Sequence, residues 1–304
     1  MCGIVGLYLK NPERRSQLGA LFSPMLEEMT GRGPDSAGFA VYRGAGEADA
    51  PPAGGKLTLY SPADWEDWDA LAHAMAERLG APVTASRNAS HAVLSAAAPS
   101  QAMRDWVAAN RPDLRIMSAG STLEIYKEVG LPRAVLERFG APQMAGSHMI
   151  GHTRMATESA VTTEGAHPFN TGDDLCLVHN GSLSNHHALK RRLAREGGLA
   201  FQTENDSEVA AGYLTWRLAQ GAALEDALEA ALKDLDGFYT FAVGTRNGFA
   251  VLRDPIACKP AVLAETDDWV AMASEYRSLA RLPGVERAAV WEPKPATVYV
   301  WGTA

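Results

Sequence analysis

The sequence contains little cysteine and no excess of positive charge. Its 304 residues include three cysteines, Cys2, Cys176 and Cys258, whose spacing predicts neither a disulfide framework nor a zinc site. The formal net charge of -8 argues against binding to nucleic acid or an anionic membrane, because both require a basic face. No apolar run is long enough to cross a bilayer, and the N-terminus lacks the basic region of a signal peptide. We therefore expect a cytoplasmic protein.

What is present is the composition of a globular chain with a sizeable core, 46% hydrophobic and 21% charged. The stretch from Gly3 to Tyr8 predicts a buried strand. In the second half, strands come in consecutive pairs and so do helices, which favours an α+β fold of stacked antiparallel sheets with helices outside. We expect one domain over residues 1–304 with an α/β insert at 56–146. A helix of the insert is expected to bury Trp65, Trp68, Leu71, Met75 and Leu79 on one face.

Cys176 and Cys258 lie in apolar surroundings and are expected to be small core residues. Cys2 fits that role less well. If Met1 is removed, one residue carries both a thiol and a free α-amine, whose reference pKa of about 7.7 to 8.0 suits a general base. The alternative is that Cys2 is accidental. We interpret it as a candidate nucleophile held by the strand that begins at Gly3.

Four further residues are candidates for acyl-transfer chemistry. Asn180 and Gly181 follow an apolar strand and offer a side-chain amide beside a backbone N–H, the two donors of an oxyanion hole. An ordinary Asn-Gly turn is the alternative. Arg154 ends a strand and Asp206 begins a helix, so together they match the carboxylate and ammonium of an amino acid, although Asp206 could serve only as a helix cap. The histidines between 148 and 187 have no metal-binding spacing, so no metal site is expected.

Taken together, these motifs resemble the class II glutamine amidotransferases of the N-terminal-nucleophile hydrolase superfamily. The matching segments occur in the family's order and leave out only the insert: MCGIVG, RGPDSAG, GHTRMAT, AHPF, VHNGSLSN, TENDSEV, DGFYTFAV, LRDPIACKP and ASEYRSL. The resemblance implies a four-layer αββα fold. It also implies hydrolysis of the glutamine side-chain amide through a thioester on Cys2.

The same resemblance assigns roles to the site residues. Cys2 is the nucleophile with its α-amine as base, and Asn180 with Gly181 is the oxyanion hole. Arg154, supported by Thr157, holds the α-carboxylate, and Asp206 holds the α-ammonium. Arg32 lies on a loop near the nucleophile and His167 shapes the pocket. Two positions depart from the usual family wording, Met155 for an aromatic residue and Glu158 for a histidine. Glu158 brings an acid near the carboxylate site, so a glutamine analogue is an alternative substrate.

The resemblance is strongest to stand-alone glutamate-synthase-like amidotransferase subunits, including that of N-methylglutamate synthase. It implies glutamate-synthase-like partner subunits that accept the ammonia. Any FMN or iron–sulfur cluster would belong to those partners, so no cofactor is expected in this chain. The insert is a candidate docking surface, with a self-contained decoration as the alternative. A non-catalytic regulatory or scaffold subunit is the competing hypothesis for the whole chain, and the set of site residues argues against it.

Overall fold

The computed structural model describes residues 2–43, 54–63, 66–156 and 160–302. Its strands are β1 (Gly3–Leu9), β2 (Ser36–Tyr42), β3 (Gly55–Tyr60), β4 (Val83–Asn88), β5 (His91–Ala96), β6 (Arg115–Gly120), β7 (Leu123–Val129), β8 (His148–Arg154), β9 (Phe169–Gly172), β10 (Leu175–Leu183), β11 (Gly237–Thr245), β12 (Gly248–Arg253), β13 (Val262–Glu265), β14 (Trp269–Ala273), β15 (Ala289–Trp291) and β16 (Thr297–Gly302). Its α-helices are α1 (Leu18–Glu27), α2 (Trp68–Leu79), α3 (Ser100–Asn110), α4 (Pro132–Arg138), α5 (His186–Gly197), α6 (Asp206–Ala219), α7 (Leu224–Asp234) and α8 (Tyr276–Leu279).

Two antiparallel sheets stack face to face. One has seven strands in the order β15-β13-β14-β1-β8-β2-β7, and the other has five in the order β16-β12-β11-β10-β9. Ile4, Ile150, Val178 and Phe249 belong to the apolar layer between the sheets. Side chains of a strand alternate between its two faces, so the neighbours of Ile4 in β1 point the other way, towards α1.

Helices cover both outer faces. The outer face of the seven-stranded sheet packs with α1, α4 and α8 in one apolar cluster, and the five-stranded sheet packs with α5, α6 and α7 in another. The result is the four-layer αββα arrangement that the family resemblance implies. Because β1 and β8 have an apolar layer on each side, they are buried almost throughout. No helix in the described ranges is long and apolar enough to cross a membrane.

The insert is a separate four-stranded sheet in the order β4-β5-β3-β6, with α2 and α3 on one face. It begins near the predicted residue 56 but ends earlier than residue 146. The segment from 123 onward belongs to the main body, because β7 pairs with β2 and α4 packs into the cluster around α1. Trp68, Leu71 and Met75 are buried in the insert core as predicted. Trp65 lies outside the described residues.

The two cysteines expected in the core differ from each other. Cys176 is buried between the sheets, where the Tyr42 hydroxyl lies 3.2 Å from its sulfur. Cys258 is exposed, so that part of the prediction is wrong. The reason is local: Cys258 belongs to the loop between β12 and β13, where Asp254 accepts hydrogen bonds from the Ile256 and Ala257 N–H groups. This turn keeps the segment at the surface.

Candidate active site

Strand pairing fixes the backbone around Cys2. Gly3 stands opposite Thr153 in the β1–β8 register, so Cys2 lies at the end of β1 beside the end of β8. The glycine is required here, because a Cβ at residue 3 would approach the Met29 Cβ to 2.8 Å and the Thr153 hydroxyl to 2.9 Å. The Cys2 thiol is half-buried, and its sulfur lies 4.0 Å from the Met155 carbonyl oxygen. A thiol placed this way is accessible to a substrate. Met1 lies outside the described residues.

Asn180 and Gly181 reach Cys2 from the other sheet. The Asn180 side-chain amide donates to the Cys2 carbonyl oxygen at 3.2 Å, and Asn180 is 3% exposed. An amide nitrogen has two N–H bonds, so one can hold the Cys2 backbone while the other faces the cleft. Gly181 has φ of +153°, and a Cβ there would come within 1.9 Å of the Phe238 carbonyl. Only glycine fits this approach between β10 and β11.

Arg32 also acts on the Cys2 backbone. Its Nε donates to the Cys2 carbonyl at 2.9 Å, and its Nη1 forms a 2.8 Å ion pair with Glu275. Glu275 precedes α8 and also pairs with Arg277. Arg32 is 8% exposed. Through these contacts Arg32 positions the backbone of the nucleophile. Its contact with the substrate stays a prediction.

Asp206 begins α6 at the opposite side of the cleft. Its carboxylate accepts from the Leu183 N–H at 2.9 Å and from the Ser207 hydroxyl at 3.3 Å, and the His179 Nδ1 lies 3.7 Å away. Burial favours the neutral acid, but the nearby His179 ring and the Leu183 N–H outweigh burial and lower the pKa of Asp206 to about 2. Asp206 is therefore a fixed negative charge. The helix cap itself is Asn205, whose side chain accepts from the Ser207 N–H, so Asp206 is left for the cleft.

Three buried histidines support this carboxylate, and one of them, His167, is a predicted site residue. The Ser207 hydroxyl lies 2.7 Å from the His167 Nε2 and 2.9 Å from the His179 Nδ1. His152 stacks on His167 at 3.9 Å between ring centroids. Burial lowers the pKa of His152 to about 3 and the pKa of His167 well below its ordinary value. His152 and His167 are thus neutral and act as hydrogen-bonding groups, not as charges.

Arg154 lies at the end of β8, 7% exposed, and its Nη1 donates to the Ala160 carbonyl at 3.2 Å. It lines an open cleft of about 1020 Å³ that it shares with Cys2, Asn180, Gly181, His167 and Asp206. Six of the eight site residues predicted from the sequence therefore meet in one cleft. The seventh, Arg32, lies behind Cys2, and Thr157, like Glu158, lies outside the described residues. Met155, which replaces the usual aromatic residue, is 39% exposed and also lines the cleft.

Two cations of the cleft wall and one acid beneath it were not predicted from the sequence. Arg115 comes from β6 of the insert and Lys259 from the loop after β12, and both line the cleft. Glu208 lies below the wall, where its carboxylate accepts from the Gln202 and Thr203 N–H groups at 2.8 and 2.7 Å. Within the four described ranges, no group of three or more histidine, cysteine or acidic side chains is arranged to hold a metal ion.

Comparison with known proteins shows the family of this chain. A family described as a glutamine amidotransferase domain matches residues 152–281. The chain belongs to the glutamine amidotransferases. It is 59% identical to the glutamine amidotransferase-like protein GlxB of Rhizobium meliloti (strain 1021), over 99% of this chain and 98% of the relative.

More distant relatives match part of their own length. An amidophosphoribosyltransferase of Synechocystis is 32% identical over 53% of this chain and 34% of that protein. Among solved structures, the glutamine phosphoribosylpyrophosphate amidotransferase of B. subtilis aligns with a TM-score of 0.61 at 20% identity, covering 99% of this chain and 47% of that one. This last likeness shows the αββα fold.

Proposed function

We propose that this chain is a glutaminase that uses Cys2 as its nucleophile and passes the ammonia to a glutamate-synthase-like partner subunit. The observation that carries the chemical part is the meeting, in one cleft, of a half-buried thiol, the Asn180 amide, the Arg154 guanidinium and the Asp206 carboxylate. Two of these groups suit an amide carbonyl under attack. The other two suit the charged end of an α-amino acid.

The reaction balances with groups of this chain and water. The Cys2 sulfur forms a bond to the amide carbon of glutamine while its proton goes to the Cys2 α-amine, which requires removal of Met1. The oxyanion is stabilised by the Asn180 amide and a backbone N–H at Gly181. The C–N bond then breaks, and ammonia leaves with the proton from the α-amine. Water attacks the resulting γ-glutamyl thioester, which releases glutamate and restores the thiol.

Arg154 and Asp206 support glutamine as the substrate class. Arginine is suited to a carboxylate, and the lowered pKa of Asp206 keeps its side chain ionised at neutral pH, so it can receive an ammonium. The cleft of about 1020 Å³ lies at the upper end of the usual range for small-ligand sites. It therefore leaves room for a glutamine analogue with an N-substituted amide, which remains the second candidate.

The chemical part is tested by trapping. Purified protein is incubated with glutamine and hydroxylamine, and γ-glutamyl hydroxamate is measured together with the mass of the N-terminal peptide. We expect hydroxamate, and a peptide that begins with Cys2. Cys258→Ala, which removes an exposed thiol, should behave like the wild type, and Cys2→Ala should give no hydroxamate. Absence of hydroxamate from all three would leave the regulatory or scaffold subunit as the better hypothesis.

The partner belongs to the same proposal and is supported by the resemblance of the motifs, with N-methylglutamate synthase as the specific candidate. A relative of almost the same length carries the name glutamine amidotransferase-like. Any FMN or iron–sulfur cluster is assigned to the partner subunits, and the complex to the cytoplasm. In an assembly reconstituted with glutamate-synthase-like subunits, Cys2→Ala should abolish synthesis from glutamine and leave synthesis from free ammonia or methylamine. Loss of both activities would contradict a division of labour between subunits.

A further inference from the structure

Lys127 is a buried lysine with an unusual set of partners. It lies on β7 and is 4% exposed. Its ammonium nitrogen donates to three backbone carbonyls, those of Glu164 at 3.0 Å, Ala166 at 2.8 Å and Pro168 at 3.2 Å. All three belong to the segment that carries His167 into the cleft. One side chain from the edge of the seven-stranded sheet thus holds the main chain on both sides of His167.

We propose that Lys127 is a positioning residue of the active site, acting through His167 on the carboxylate of Asp206. The path is short: the His167 Nε2 lies 2.7 Å from the Ser207 hydroxyl, and that hydroxyl lies 3.3 Å from the Asp206 carboxylate. The inference rests on the proposed function, since it concerns the orientation of the group that receives the α-ammonium of glutamine.

The number of partners explains why a lysine is used. An ammonium has three N–H donors and no acceptor, so three carbonyls satisfy it completely. Its charge is also placed 4.5 Å from the centre of the Phe169 ring, which favours a cation. Without the ammonium, three buried carbonyls of one short segment would lose the hydrogen bond that Lys127 donates to them. The segment would then have to move towards water, and His167 with it.

The charges around Lys127 make its action depend on pH. Burial lowers its pKa to about 7, although Glu208 from α6 and Glu164 from the segment itself favour the charged form. His91 and His167 face it as neutral rings, and Arg115 from β6 lines the cavity on the same side. A neutral amine donates two hydrogen bonds instead of three. Above about pH 7, one carbonyl of the segment therefore faces a lone pair.

The test compares wild type with Lys127→Met, Lys127→Arg and Lys56→Met. Lys56 is a matched control, because it is also a buried lysine, 2% exposed, but its partner is Glu124 and it does not contact the His167 segment. For Lys127→Met we expect the KM for glutamine to rise by about tenfold, with kcat changed by less than about threefold. Lys56→Met should lower thermal stability and leave KM unchanged.

The pH profile separates positioning from a structural role alone. In the wild type, KM should rise as the pH increases through about 7, because Lys127 loses its proton. In Lys127→Arg the charge persists, so that rise should disappear. A KM for Lys127→Met equal to that of Lys56→Met, or an identical pH profile in wild type and Lys127→Arg, overturns the proposal. If Lys127→Met does not fold, the profile comparison decides alone.

An NMR measurement keeps this inference separate from the proposed function. Nitrogen-15 spectra of the histidine rings report the hydrogen bonds of His167 and His179 without any substrate. We expect their signals to shift in Lys127→Met and to stay in place in Lys56→Met. Unchanged signals in both variants overturn the inference even if glutamine is hydrolysed. If wild type fails to hydrolyse glutamine, the proposed function fails, and the ring signals still decide on Lys127.

Discussion

The two ends of the cleft are built differently. At the nucleophile end, the Cys2 sulfur is half-buried and lies 4.0 Å from the Met155 carbonyl oxygen, a long contact. At the other end, the Asp206 carboxylate receives a 2.9 Å hydrogen bond from the Leu183 N–H and is supported by Ser207 and His179. The sulfur has to move from its resting contact to bond with the amide carbon during acylation. A carboxylate that binds substrate works best when its position is fixed in advance.

The difference concerns side chains and not the backbone. The carbonyl of Cys2 is held by both Arg32 and Asn180, so the main chain of the nucleophile is as well fixed as that of Asp206. Only its thiol is left with room. Substitutions at the nucleophile end should therefore act on the rate of the chemical step. Substitutions at the carboxylate end should act on substrate binding and on the stability of the fold.

Cys2→Ala gives the largest expected effect. It removes the thiol that is proposed to form the thioester, so glutaminase activity should fall by at least about ten-thousandfold. Ammonia release is measured at saturating glutamine, and Cys258→Ala serves as the control. Binding of glutamine, measured by calorimetry, should persist in Cys2→Ala, because Arg154 and Asp206 are untouched. Residual hydrolysis at a few per cent of the wild-type rate would contradict the assignment of Cys2 as the nucleophile.

Asn180→Ala should come next. Loss of one oxyanion donor lowers kcat by about a hundred- to a thousandfold. The substitution also removes a bond to the Cys2 carbonyl, so stability should be compared in the same experiment. Asn88→Ala is the matched control, since it loses a similar bond, from the insert to the Phe139 carbonyl of the main body. Equal kcat values for the two variants would contradict the oxyanion assignment.

Arg154→Ala and Asp206→Asn should act mainly through KM. Each removes a charge-assisted contact with the charged end of glutamine, so we expect KM to rise by about tenfold to a hundredfold, with a smaller loss in kcat. Steady-state kinetics with glutamine, and with an analogue that lacks the α-amine, provide the measurement. Asp206→Asn should no longer prefer glutamine over the analogue that lacks the α-amine, and Arg154→Ala should keep that preference. Unchanged kinetics in both would mean that the amino-acid end binds elsewhere.

The smallest effect concerns stability in acid. The folded protein lowers the pKa of Asp206 from 3.8 to about 2, so this carboxylate stabilises the fold above pH 3.8, and that contribution disappears as the pH falls through about 2. At pH 7 we expect Asp206→Asn to lower the free energy of unfolding by about 2 kcal/mol. The difference from wild type should shrink between about pH 4 and pH 2 in denaturant unfolding. A difference that is constant over this range would argue that the charge of Asp206 is not involved.

The sequence alone predicts those features that depend on residues close to one another in the chain. The apolar run from Gly3 predicts β1, and the paired strands and helices predict stacked sheets with helices outside. The four layers and the meeting of Cys2, Asn180, Arg154 and Asp206 in one cleft are implied by the family resemblance, which short motifs carry. Each of these site residues lies at the end of a strand or the start of a helix. Its position in the motif therefore indicates where in the fold it lies.

The features that sequence did not predict depend on pairing between distant segments. The apolar alternation of β7 looks the same whether it pairs inside the insert or with β2, so the boundary at 146 was misplaced. No role for His179 or Ser207 follows from the short motifs in which they occur. Their 2.9 Å contact joins β10 to α6 and leaves no trace in either motif. Lys127 and Arg115 were missed for the same reason.

The two ends of the insert meet where β2 and β7 run side by side. Tyr42 pairs with Leu123, and the Arg43 N–H donates to the Thr122 carbonyl at 3.0 Å. In topological terms, the insert occupies the loop of a β-hairpin that about two to five residues would suffice to close. A module of this kind can be gained, exchanged or lost as one cassette without altering the sandwich. Such an exchange would still affect the active site, because it replaces the strand that supplies Arg115 to one wall of the cleft.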